Sequence, residues 1–223
     1  MRTLVLFLCL GFLFFAPGHP AANEEIGKVK GDSGPQRVAE AESIFQQMNA
    51  RLQGLRDYRA ALTIGIRVPL LKLTLKGDVF FREPDKLKVQ LKGLPDFLKD
   101  QPDMFRTSAL SGNFRKGYVS RLIGSQLQDG MQCYLIEMVP KSDPNVKNIH
   151  VWVSKDTYTA ARVHYYYTNG AYIKMRQQFK PVSGFNLLSH VSGEVKFPKI
   201  GGEVDMDLDD YKVNSGLKDE AFN

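Results

Sequence analysis

LKLTLKGDVFFREPDKLKVQLK, residues 71–92, carries the period on which the fold turns. Leu71, Leu73 and Leu75 alternate with Lys72, Thr74 and Lys76, and Leu87, Val89 and Leu91 alternate with Lys88, Gln90 and Lys92. Successive side chains of a strand point to opposite faces, so a period of two predicts a pair of half-buried antiparallel strands. Arg82-Glu83-Pro84-Asp85 lies between the runs and reads as their turn, because proline and aspartate suit turn dihedrals and proline withdraws a donor from the ladder.

The same rhythm continues downstream in Cys133–Val139, Ile149–Val153, Ala161–Thr168, Tyr172–Phe179, Leu187–Phe197 and Glu203–Tyr211. Asn169-Gly170 between two of these is a two-residue hairpin signal, since both positions tolerate positive φ. No helical period intervenes, which predicts one antiparallel meander of seven to nine strands, enough for a curled sheet or a barrel. Upstream the period changes. Val38, Ala41, Ile44, Phe45, Met48, Leu52 and Leu55 recur at three- and four-residue steps over Gln36 to Leu55, predicting an amphipathic helix closed by Gly54. Residues 93–110 break the strand rhythm: Phe97, Leu98, Met104 and Phe105 lie among prolines and charges, a pattern for short helices capping the sheet. They read equally as a lid or as a connection pinned to the core.

The first 22 residues read as an export signal, with Arg2 ahead of an apolar run from Leu4 to Phe15 and small residues at Ala16, Gly18, Ala21 and Ala22. The run falls short of the roughly 20 apolar residues that span a bilayer. Phe7 and Leu8 before Cys9 do not suit lipidation. Residues 23–35, rich in glycine and charge, are expected to be a flexible linker, leaving residues 36–223 as one domain. Cys133 is then the only thiol, so the core rather than a disulfide must hold the fold. The formal net charge of +6 is spread along the chain without a dominant basic cluster, which argues against nucleic acid as a partner.

The chain shows no motif for chemistry. His150, His164 and His190 each fall within an expected strand and read as satisfied strand residues, without ligands at metal spacing. Asp205, Asp207 and Asp209 share one strand face and read as a solvated row, because calcium ligands wrap a glycine-containing turn. Gly-x-Ser-x-Gly, phosphate-binding and His-Glu-x-x-His patterns are missing, and Cys133 lacks a basic sequence neighbour to activate it. No enzyme activity, metal or cofactor is expected.

Four stretches carry a resemblance. The helix runs into Leu55-Arg56-Asp57-Tyr58-Arg59-Ala60-Ala61-Leu62; residues 77–88 place a strand, a proline turn and a strand in succession; Cys133–Pro140 and Asn148–Thr157 form a later hairpin; and residues 210–222 end on an Asn and an acidic-aromatic pair. In order and spacing the chain resembles the LolA and LolB type of periplasmic lipoprotein carriers, the outer-membrane lipoprotein-sorting proteins. The resemblance implies a mainly β fold with helices (α+β). This is an incomplete antiparallel β-barrel, with the N-terminal helix and a short helical lid over an open mouth.

That resemblance further implies an apolar cavity lined by Leu71, Leu73, Leu75, Phe80, Leu87, Val89, Leu91 and Trp152, under a lid bearing Phe97, Leu98, Met104 and Phe105. In a closed sandwich the same residues would fill an ordinary core. The family places a lid-holding arginine directly before the turn proline. Here Glu83 stands there, and Arg82, one residue earlier, is the latch candidate; a one-residue shift would turn it to the other face unless a bulge intervenes. Residues 115–131 also depart from the family's pattern. The implied function is that of a monomeric periplasmic carrier of lipoprotein acyl chains or free lipid toward the outer membrane, with an inner-membrane transporter or outer-membrane receptor as partner. Met48, Met104, Met175 and Met206 would suit an adaptable cavity if they face inward. The rival reading is a non-enzymatic protein-interaction module on the same fold, an envelope-stress sensor or transporter accessory.

Overall fold

The computed structural model describes residues 34–69, 71–84, 86–92, 117–198 and 200–222. The proposed signal segment, most of the linker and the lid residues Phe97, Leu98, Met104 and Phe105 lie outside the described residues. Among the described residues, helix α1 (Pro35–Ala50) precedes ten strands: β1 (Asp57–Val68), β2 (Leu71–Arg82), β3 (Lys86–Lys92), β4 (Tyr118–Gln128), β5 (Met131–Pro140), β6 (Val146–Ser154), β7 (Ala160–Tyr167), β8 (Tyr172–Val182), β9 (Phe185–Phe197) and β10 (Ile200–Val213). A 3-10 turn, Asp219–Phe222, closes the chain.

The strands form one antiparallel sheet in the order β3-β2-β1-β10-β9-β8-β7-β6-β5-β4. Every neighbour in space is a neighbour in sequence except β1 and β10, whose pairing sets Leu62 opposite Leu208. Among the described strands β3 and β4 are therefore the two edges, and the open seam of this incomplete barrel lies between two strands that follow each other in the chain.

Two of the ten strands lie outside the sequence-derived runs. β1 was indicated only by resemblance, though Tyr58, Ala60, Leu62, Ile64 and Ile66 do alternate. In β4 a bulge at Ile123 interrupts the period. The expected turns are in place: Arg82 ends β2 and Lys86 begins β3, while Gly170 adopts φ +79° between β7 and β8 and Asn169 Oδ1 accepts the Ala171 amide at 2.9 Å.

α1 begins on Pro35, a residue that needs no partner for its missing amide hydrogen, and ends at Ala50, earlier than the apolar period suggests. Residues 51–54 are turn, Gly54 taking φ +89°, so Leu52 is exposed; Val38 also faces solvent. Ala41, Ile44 and Phe45 are buried against the sheet, with Met48 beside them. Arg37 reaches from α1 to β4, donating to the Leu122 and Ile123 carbonyls at 3.2 and 3.5 Å, so that part of this free edge is satisfied by a side chain.

The C-terminal pattern of Asn, acid and aromatic has a physical meaning. Asn214 Oδ1 accepts the Arg56 amide at 2.8 Å and its Nδ2 donates to the Gly54 carbonyl at 2.9 Å. The buried Asp57 carboxylate accepts from the backbone amides of Ser215 and Gly216 at 2.9 and 3.0 Å. These contacts fasten the end of the sheet to the start of β1.

Candidate functional site

Cross-strand register fixes which side chains share a face. Ile64 stands opposite Leu75 and Met206, Val79 opposite Val89, and Gly77 opposite Leu91. Following the same parity around the sheet, Met206 pairs with Val191, Met175 with Val163, Val163 with Val151, and Val151 with Ile136. These residues make one continuous, almost wholly apolar face, the same face against which α1 lies. Its buried residues fall into two clusters: one around Ile136, Ile149, Val151 and Val163 is covered by Ala41, Ile44 and Phe45 of α1. The other, built on Leu62, Ile64, Ile66, Leu75, Val79 and Leu208, receives no described helix.

Beside that second cluster Leu73, Leu87, Val89 and Leu91 are half-buried at the β3 edge. Removing a leucine or valine side chain from water is worth about 1.5–3 kcal/mol, so a row of such residues left half in solvent is a surface with unspent burial. Leu73, Leu75, Leu87, Val89 and Leu91 of the expected lining thus share one face beside the seam, and Leu71 follows them in register opposite Val68. Met48, Met175 and Met206 also pack on this side. The β1 row from Tyr58 to Ile66 belongs to the same wall; its period of two was the signal that could have added it.

Phe80 and Trp152 are corrections to the expected lining. Phe80 stands opposite Arg59 and Lys88, on the outer face, because it follows the inward Val79 by one residue. Trp152 likewise alternates with Val151 and Val153 and joins Cys133, Leu135 and Ala161 in a small outer core. Arg82 shares the outer parity of Phe80. Its Nη1 donates to the Leu217 carbonyl at 3.0 Å, its Nη2 meets Asp219, and its guanidinium lies 5.2 Å from the Phe222 ring centre. In this structure the latch candidate is engaged with the C-terminal segment.

The outer face over β4–β7 carries a polar cluster that the linear sequence kept apart. Arg121, Glu137, His150 and His164 are successive direct cross-strand partners. Glu137 accepts from Arg121 at 2.6 Å and from Asn148 at 2.8 Å, and His150 Nε2 lies 3.6 Å away. The His150 ring, with the Asn148 and Arg121 donors, outweighs burial and holds the Glu137 carboxyl down to about 2. The expectation that the strand histidines are satisfied fails at His150: this buried ring leaves Nδ1 without a hydrogen-bond partner among the described residues, as Asn148 leaves Oδ1. Burial first, then the nearby charges of Lys174 and Arg162, lowers His164 to about 4. Burial also pushes the fully enclosed Cys133 thiol upward, away from reactivity. The three aspartates of β10 do line one face, each paired: Asp205 with Arg67 at 2.9 Å, Asp207 with His190 at 2.7 Å and Asp209 with Lys180 at 2.5 Å.

These shifts set a direction for acid sensitivity. Glu137 titrates lower in the folded chain than the ordinary 4.5, so its stabilisation is full above that value and is lost as pH falls toward 2. His164 is kept neutral by the fold, so stability also drains between pH 6.5 and about 4 as the unfolded chain takes the proton first. Melting temperature should fall throughout this range. His164→Phe should flatten the upper part alone, by a few °C for about 1–2 kcal/mol after solvent screening. A variant melting profile parallel to the parent's between pH 6.5 and 4 would refute the assignment.

A cleft of about 380 Å³ between the start of α1 and β4 is lined by Gly34, Gln36, Arg37, Glu40, Leu122, Gly124 and Ser125. Arg37 and Glu40 put charges of both signs on its wall, unlike the apolar inner face of the sheet. Among the described residues, no helix is long and apolar enough to cross a membrane.

A family model described as "uncharacterized protein" matches residues 103–223. No curated protein matches the sequence. Among solved structures, a candidate outer membrane lipoprotein-sorting protein domain from Vibrio parahaemolyticus is 15% identical, with TM-score 0.66, covering 83% of this chain and 97% of that one. A DUF1329 family protein from Desulfovibrio piger is 18% identical, with TM-score 0.62, covering 84% and 97%. A LolA superfamily protein from Nitrosomonas europaea is 16% identical, with TM-score 0.55, covering 82% and 97%. At these identities the likeness is one of fold, and the fold is LolA-like.

Proposed function

Since the chain belongs to the family matched over residues 103–223 and is built on a LolA-like fold, we propose that it is a carrier of lipid acyl chains. The observation that supports this reading most directly is the concave apolar face, continuous from β3 to β4, of which α1 covers only the β4–β8 half. Each methylene buried there contributes about 0.8 kcal/mol, so even part of an acyl chain laid along Leu73, Leu87, Val89 and Leu91 would be held. A face closed on one side only holds its guest less tightly than a deep pocket, which a carrier needs in order to release it. The methionines on this wall adapt to chains of different shape.

Function in this reading is binding and transfer without chemistry. The cargo is a lipoprotein's acyl chains or free lipid, carried across the periplasm toward the outer membrane after removal of residues 1–22. A transporter at the inner membrane or a receptor at the outer one would load or unload it.

Mass spectrometry of lipid extracted from the natively exported, purified protein tests the proposal. We expect stoichiometric acylated material that is displaced by a long-chain fatty acid. Lipid-free protein that also fails to take up an acyl probe, while forming a stable complex with a membrane protein, would replace the carrier with the interaction module.

A further inference from the structure

The outer face of the β2–β3 hairpin is basic. The side chains that alternate away from the apolar wall include Lys72, Lys76 and Arg82 on β2 and Lys86, Lys88 and Lys92 on β3. Arg82 and Lys86, at the turn end, share Asp219. Toward the other end Lys72, Lys76, Lys88 and Lys92 face Asp78 as the one carboxylate on the two strands. Asp78 is itself divided between Lys92 and Arg59, each at 2.9 Å. Lys72 and Lys76 are exposed, with no carboxylate among the described residues within ion-pair distance of either.

Lys76 stands directly opposite Lys92. Like charges opposed across a ladder destabilise a sheet, and an acid at either position would remove the cost. Here the cost falls on an edge hairpin, beside the seam through which the concave face opens. Phe80 lies within the strip, half-buried, with the Arg59 guanidinium 5.5 Å from its ring centre.

We propose that this face docks on the anionic phospholipid headgroups of a bilayer. The chemistry favours a membrane over a folded acidic partner. Lysines are compact charges on long flexible stems, suited to a diffuse layer of phosphates, whereas specific carboxylate recognition draws on the planar fork of arginine. The strip lies along an outward sheet face. This inference goes beyond the carrier reading, because headgroup docking does not depend on whether the concave face holds a chain.

The test is sedimentation of the purified protein with vesicles of phosphatidylcholine alone and of phosphatidylcholine with about a third phosphatidylglycerol. We expect binding to the anionic vesicles only, falling steeply with added salt. Lys72→Gln with Lys76→Gln should weaken that binding on the order of 20-fold, about 5-fold per lysine, with acyl-probe uptake unchanged and a melting temperature no lower than the parent's, because the Lys76–Lys92 repulsion is removed. Lys147→Gln, exposed on β6, should leave it intact. Equal binding to both vesicle types, or parent-like binding by the double variant, would overturn the proposal. So would capture by polyglutamate without vesicle binding, which would assign the strip to an acidic protein. Anionic docking without acyl-probe uptake would uphold this inference and sink the carrier reading.

Discussion

Val89→Asp is expected to weaken binding of a long-chain acyl probe by about 100-fold. Val89 is half-buried on the apolar wall, opposite Val79 and between Leu87 and Leu91, so in the empty protein a carboxylate there can reach water and the fold survives. An acyl chain lying on the wall would cover that carboxylate, and desolvating an unpaired charge costs several kcal/mol. About 3 kcal/mol of that cost, with the rest relieved by the edge position, gives the expected factor. Val119→Asp provides the comparison, since Val119 is 47% exposed on β4 and opposite Val139 on the outer parity. Fluorescence titration of both variants against the parent decides the matter. Parent-like affinity in Val89→Asp would remove the β3 wall from the proposed binding surface.

Gly77→Val should lower the melting temperature by about 10 °C or more. A Cβ at Gly77 would stand 2.2 Å from the Gln90 carbonyl oxygen and 3.0 Å from the Leu91 Cα. These are backbone atoms of β3, which cannot rotate aside as a side-chain tip would. β3 must then move, and among the described strands its ladder is to β2 alone. Partial loss of that ladder and of the packing of Leu87, Val89 and Leu91 amounts to roughly 3–4 kcal/mol, where each kcal/mol moves the midpoint of a chain this size by about 2–4 °C. Gly124→Ala, with open space around the added carbon, should change little. Calorimetry of the two variants is the measurement. A Gly77→Val protein melting with the parent would mean that β3 is not held against β2 as described.

The alternating strands and the helix were legible in the sequence because one period dominates each. Leu87-Lys88-Val89-Gln90-Leu91 has one wet face and one dry face, and its parity alone identifies the residues that share the wall. Legibility fails where both faces are dry. In β6 the residues from Ile149 to Ser154 are all buried, inward valines alternating with His150 and Trp152 of the outer cluster, so composition could not say which way Trp152 points. Phe80-Phe81 poses the same problem: two adjacent aromatics lie on opposite faces, and only register separates them. β4 was hidden by its bulge, which places Leu122 and Ile123 side by side and cancels the alternation. The Arg121–Glu137–His150–His164 row spans four strands and 44 residues of chain, so no local window contains it. Arg82 was recognised by its place before a proline, but its partners, Leu217 and Asp219, stand more than 130 residues away.

The pairing of β1 with β10 has a consequence for how the chain reaches its final state. All other ladders join consecutive strands and can zip as hairpins, whereas Leu62 must wait for Leu208, and loop closure over such a separation is the slow, entropically expensive step. A growing polypeptide would have its first three strands complete yet one side of β1 bare until β10 had emerged. During that interval the raw strand is exposed to mispairing, and protection by a chaperone would matter most before the Asn214 clasp could close.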